Sequence, residues 1–177
     1  MEQFNSFDPN SAGELNIVRN GWFYPSFILT DGVNKYGKLS YTYNWRRVGI
    51  IETAQQCWNI EFGKLFTRDI LINDASTGQT IAVVKTTLWR GKVSLEFTDG
   101  QTLLFRREGI FSRKHIWYSE QYGNLLSTES RLFSFKQPFK VRPEQSTFKN
   151  YDYLVLLAFL SVHLILIRRA RVAATVH

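Results

Sequence analysis

A chain of 177 residues with 44% hydrophobic content is of single-domain size and can fill one core. Its single cysteine excludes an intramolecular disulfide and any cysteine-based metal cluster, and its 15% aromatic content leans towards β structure. The formal charge of +7 is uneven: residues 1–18 carry Glu2, Asp8 and Glu14 with no Lys or Arg, which leaves +10 on the remainder and favours anionic partners.

The opening Met1-Glu2-Gln3-Phe4 lacks the basic and apolar regions of a secretory signal, so a cytoplasmic location is expected. Residues 1–18 are polar and unpatterned, with Asp8-Pro9-Asn10 and Ser11-Ala12-Gly13 as turn material, and read as a flexible arm. From Trp22 the chain becomes a series of short alternating runs, with Asp31-Gly32 marking a first turn. Cys57, between Gln56 and Trp58 in a strand-like run, reads as an inert thiol. Trp58, Ile60 and Phe62 alternate with Asn59 and Glu61, the period-2 signature of a strand with one buried face. Ile70-Leu71-Ile72 leads into a turn cluster over residues 73–78, and residues 81–89 form the next run, closed by Arg90-Gly91-Lys92. Val93, Leu95 and Phe97 alternate with Ser94, Glu96 and Thr98, and Asp99-Gly100 follows; that pair between two alternating runs predicts a hairpin with a type I′ turn. Residues 116–122 and 125–135 read as further strands around Tyr122-Gly123-Asn124. Short strands with brief turns predict a mainly β domain, an antiparallel meander closed into a sandwich or a barrel.

Tyr153 to Ile167 breaks the pattern, because it is apolar on every side apart from Ser161 and His163. Asn150 and Asp152 suit a helix start, and Arg168, Arg169 and Arg171 suit its C-terminal end, which predicts a helix over 151–170. A helix that is hydrophobic all round must be buried in protein or lipid. Fifteen residues span roughly 23 Å, short of the ~20 residues that a bilayer core requires. Enclosure inside the barrel is therefore the leading expectation. A C-terminal membrane anchor over residues 153–167, with the arginines at the headgroups, is the alternative. The expected organisation is an arm over 1–18, one barrel domain over 19–171 and a tail over 172–177.

The run Trp58 to Phe105 with its Asp99-Gly100 hairpin, followed by the helix and arginines of Tyr151 to Arg171, resembles the tubby C-terminal-like superfamily of tubby proteins, phospholipid scramblases and LURP-one-related proteins. The resemblance covers about residues 20–171 and is one of pattern and order. It implies a barrel of roughly twelve strands around a central hydrophobic helix, and in some members an association with phosphoinositides or other lipids. No phosphoinositide motif of the family maps onto this chain residue by residue, and the cysteine-rich stretch of scramblases is absent.

The sequence holds no G-x-S-x-G elbow, P-loop, H-E-x-x-H or G-x-G-x-x-G, so no enzyme activity is expected; an unrecognised enzyme remains a second alternative. No cofactor or metal is called for, since His115, His163 and His177 are dispersed. His163 reads as a neutral core histidine with one internal hydrogen bond, and His115, after Arg113 and Lys114, as part of a solvated loop. The basic clusters Arg46-Arg47, Arg106-Arg107 and Arg113-Lys114-His115 are the functional lead, with Ile110-Phe111 lying between the last two. Arg106, Arg107, Arg113 and Lys114 are the candidate ligand contacts, and Arg168, Arg169 and Arg171 the candidate headgroup contacts. The bland reading of these clusters is solubility charge on a hairpin loop. The functional one is a non-enzymatic binding or scaffold module, cytoplasmic or membrane-associated, that recognises anionic phospholipid or a protein partner through a basic surface. Nucleic acid is a lesser candidate partner.

Overall fold

A computed structural model describes residues 3–8, 14–21, 24–42, 48–63, 69–86, 93–131, 134–144 and 151–174. Twelve strands precede one helix: β1 Leu15–Asn20, β2 Ser26–Thr30, β3 Lys35–Tyr41, β4 Val48–Thr53, β5 Cys57–Phe62, β6 Ile70–Asp74, β7 Thr80–Thr86, β8 Val93–Phe97, β9 Thr102–Arg107, β10 Lys114–Ser119, β11 Gly123–Ser130, β12 Phe139–Pro143 and α1 Tyr151–Ala174. Each strand pairs antiparallel with its sequence neighbours, and β1 pairs with β12 through Leu15↔Val141 and Ile17↔Phe139, which closes the barrel. Closure leaves no sheet edge to recruit another chain.

Alternation sorts each strand into a lumen face and an outer face. Ile17, Leu39, Ile51, Ile72, Val84, Leu95 and Leu103 turn inward and are fully buried. Against them runs α1, whose residues Leu154 to Leu160 and Val162 are at most 1% exposed. A helix without a polar face is stable here because every side of it meets the lumen face of a strand, each large side chain contributing roughly 1.5–3 kcal/mol on burial. Its polar members are met inside. The Trp117 indole N–H donates to the Leu157 carbonyl at 3.0 Å and to the Ser161 hydroxyl at 2.9 Å, while that hydroxyl donates to the same carbonyl at 2.8 Å. His163 shares one 3.1 Å hydrogen bond with the Tyr41 hydroxyl through Nδ1 and stacks on the Tyr41 ring at 5.7 Å. Burial pushes its pKa down to about 4, so the ring is neutral. Where the helix comes nearest to β3, Gly37 makes room: a Cβ there would lie 2.7 Å from the Glu52 carbonyl and 3.1 Å from the Phe159 ring.

In an up-and-down barrel the connections alternate between two rims. The helix enters at the rim where β12 ends and emerges at the other, the exit rim, which also carries the β1–β2, β9–β10 and β11–β12 connections.

Four expectations need correction. The described residues among 1–18 do not form a free arm: Leu15 to Val18 belong to β1, and Phe7 is 7% exposed, edge-on to Tyr36 at 5.2 Å. Leu15 and Ile17 supply the apolar alternation, and Glu14 is tied to Lys140 and, at 3.1 Å, to Arg131. The Asp99-Gly100 hairpin exists, but with a three-residue loop. Gly100 N–H donates to the Phe97 carbonyl at 3.0 Å, Phe97 N–H donates to the Gln101 carbonyl at 2.9 Å, and Gly100, the loop's one glycine, supplies positive φ, at 92°. His115 lies on β10, not in a loop, and is 8% exposed. The helix continues past Ala170 to Ala174, so the tail begins later. Arg46, Arg47, the Arg90-Gly91-Lys92 turn, Asn150 and His177 lie outside the described residues.

Candidate anion-binding rim

Two candidate groups that are far apart in sequence meet at the exit rim. Arg107 ends β9, Arg113 precedes β10, and Arg168 and Arg169 stand on the emerging turn of α1; together they line a cleft of about 400 Å³. Alternation explains Arg107: it lies two residues beyond Phe105 and four beyond Leu103, both buried on the lumen face, so it follows them inward at the rim. Its Nε donates to the Ser112 carbonyl, which fixes the guanidinium against the β9–β10 connection. Among the described residues none of these four arginines is paired with a carboxylate.

His115 and Ser130, both buried, form the floor. His115 stacks on Phe105 at 5.3 Å, and its Nδ1 is enclosed with no hydrogen-bond partner. Thr128, its register partner on β11, likewise has an enclosed hydroxyl without a partner. Burial pushes the His115 pKa down to about 4; the Arg113 backbone opposes this, while Arg107, Arg168 and Arg169 add to it. The ring is therefore neutral at pH 7 and carries one N–H donor. Arg169 also faces a second hollow, of about 230 Å³, floored by Phe27, Tyr41 and Phe139, and its guanidinium lies 5.6 Å from the Phe139 ring centroid. Partial burial lowers the Arg169 pKa.

The other candidates sit elsewhere. Arg106 points to the outer wall, 4.7 Å over the Tyr118 ring. Lys114 is held by Glu108 at 3.0 Å and Glu144 at 3.2 Å, which raises its pKa. Arg171 is exposed but does not line the cleft. Sequence reasoning passed over His115 and Ser130 as site residues; the signal available for His115 was its place two residues before Trp117. Cys57 is half-buried, and burial with Glu52 and Asp74 nearby raises its thiol pKa, which disfavours the reactive thiolate. Among the described residues no group of three or more His, Cys, Asp or Glu could hold a metal.

Apolar surface gathers at the same rim. Of the six large hydrophobic residues exposed among the described ones, Tyr24, Ile110, Phe111, Phe135 and Val172 lie at the exit rim, with Phe111 95% and Ile110 84% exposed. Only Val33 lies at the opposite rim. A larger cleft of about 700 Å³ opens there too, but it carries Asp99 and Glu120 and no basic residue.

No family model, no curated protein and no solved structure matches this chain, so the likeness to the tubby-like superfamily rests on strand pattern and order alone.

Proposed function

We propose that the chain is a non-enzymatic docking module whose exit rim binds anionic phospholipid surfaces. The observation that carries this reading is the convergence of Arg107, Arg113, Arg168 and Arg169 with the exposed Ile110, Phe111 and Val172 at one end of the barrel. Basic side chains near an anionic leaflet contribute about 1 kcal/mol each, and burying a phenylalanine adds roughly 2 kcal/mol. Charge plus an apolar wedge gives reversible, salt-sensitive attachment. The anchor alternative would move residues 153–167 into lipid; the enclosure of residues 154–165 supports peripheral docking, since their removal would empty the lumen.

The test is co-sedimentation with phosphatidylcholine vesicles with and without phosphatidylserine. Binding should require phosphatidylserine and weaken with salt. Arg107→Glu combined with Arg168→Glu should abolish it, Phe111→Ser should weaken it on the order of tenfold, and Arg106→Glu on the outer wall should leave most of it. Release by salt supports peripheral docking, whereas release only by detergent supports the anchor. A folded protein that ignores anionic vesicles at low ionic strength overturns the reading.

A further inference from the structure

Beside the emerging turn of α1, the lumen mouth opens into the second hollow, where β12, β1, β2 and β3 adjoin one another. Period-2 alternation builds it. Arg19 follows Leu15 and Ile17 inward on β1, and Phe27, Tyr41 and Phe139 belong to the inward rows of β2, β3 and β12. In register, Arg19 stands opposite Phe27. The Phe27 ring meets Tyr41 and Phe139 edge to face, with centroids 6.4 and 6.5 Å apart, so the floor is three aromatic rings already packed on one another. Leu166 on α1 supplies an apolar wall, and Pro25 and Pro138 stiffen the β1–β2 and β11–β12 connections at the mouth. The hollow, of about 230 Å³, is therefore formed before any ligand arrives.

Two guanidiniums, those of Arg19 and Arg169, share this lining, and among the described residues no carboxylate does. We propose that the hollow binds a small monocarboxylate with an apolar body, the body lying on the aromatic floor and the carboxylate between Arg19 and Arg169. Each part of that choice has its own reason. Two positive charges without a negative one select an anion over a cation or a neutral molecule. A guanidinium pairs both oxygens of a carboxylate at once. The three rings and Leu166 reward an apolar body, which a bare inorganic anion lacks. Besides the guanidiniums, the lining's one polar side-chain group is the Tyr41 hydroxyl, already joined to His163 Nδ1 at 3.1 Å. A dianion would meet too few donors above aromatic carbon, so a phosphate is disfavoured. The volume lies below the ~300–1,000 Å³ of drug-sized sites, which limits the body to about one ring with a short chain.

The test titrates the full chain with 3-phenylpropionate and with three probes that each change one property. 3-Phenylpropanol lacks the charge, acetate lacks the body, and phenyl phosphate carries a second charge. Binding is read from the ring resonances of Tyr41 and Phe139 and from thermal unfolding. 3-Phenylpropionate should bind on the order of tenfold tighter than any of the three. Arg169→Gln should bring the acid and the alcohol to equal affinity; Arg169 is partly exposed, so the barrel should still fold. Leu166→Phe, which fills the hollow and leaves every charge in place, should abolish binding.

No response to 3-phenylpropionate at millimolar concentration overturns the site. So does phenyl phosphate that binds as tightly, or an acid that binds no better than the alcohol. An acid preference that survives Arg169→Gln, or binding that survives in a folded Leu166→Phe variant, puts the anion elsewhere on the rim and equally overturns it. None of these readouts uses vesicles, so the site and the docking surface stand or fall separately.

Discussion

Arg106 and Arg107 are adjacent and carry the same charge, yet one stacks on the outer wall and the other lines the lumen mouth. Period-2 alternation from Leu103 and Phe105 already assigns them to opposite faces, so this split was legible in the sequence; reading them as one basic cluster concealed it. His115 is the same case, because Trp117 fixes the inward face of β10 and the basic neighbours of His115 suggested a loop. The pairing of Arg107 and Arg113 with Arg168 and Arg169 was not legible, since it depends on how far the helix travels through the lumen. The two buried histidines also make a prediction about acid. Their folded pKa values are near 4, against about 6.5 in the unfolded chain, so below pH 6.5 the unfolded state takes up protons that the folded state refuses. Stability should be full above about pH 6.5 and fall as the pH drops towards 4, by roughly 3 kcal/mol for His163 alone. Urea midpoints measured from pH 7 to 4.5 should show the decline. His163→Asn, which keeps an acceptor for Tyr41, should make it about half as steep, leaving the share of His115, and an unchanged slope in that variant would assign the decline to other groups.

At the level of elements, most strands from β5 onward were legible because alternation ran between strong turn signals. β1 was not, because Leu15-Asn16-Ile17 is a short pattern next to turn-forming residues, and its identity as a strand comes from partners on β2 and β12. The helix was legible from composition, but its fit against β3 was not. That fit rests on Gly37, where an added methyl would meet the Glu52 carbonyl, which cannot swing aside as a side-chain end does, and then Phe159 and Val155. Gly37→Ala should cost about 1–3 kcal/mol, the range for overpacked sites, measured as a lowered urea midpoint. A neutral result would mean that β3 and β4 separate more easily than their ladder suggests.

For the whole molecule, a series of short strands and one apolar helix announced a sandwich or a barrel with a core, but the closing β1–β12 pair joins residues more than a hundred positions apart and leaves no local trace. The same holds for the two rims: strand parity places the loops, and only a closed barrel turns parity into a basic, apolar end and an opposite one. Because α1 fills the lumen, the barrel wall and the helix should form one cooperative unit. Deleting residues 151–177 should therefore abolish the urea transition and raise binding of an apolar dye, as the lumen faces of the strands meet water. A deletion variant that unfolds cooperatively near the full chain's midpoint would show that the wall folds without its filling.

The order of the elements also sets a timetable for biosynthesis. The part that every strand packs around is made after all of them, and translation proceeds at roughly 5–20 residues per second. For on the order of ten seconds, then, the nascent chain has strands with unsatisfied apolar faces and no helix to gather them. Filling of the lumen consequently waits for the helix, and until it is made the emerging strands are natural clients for chaperones that shield apolar segments.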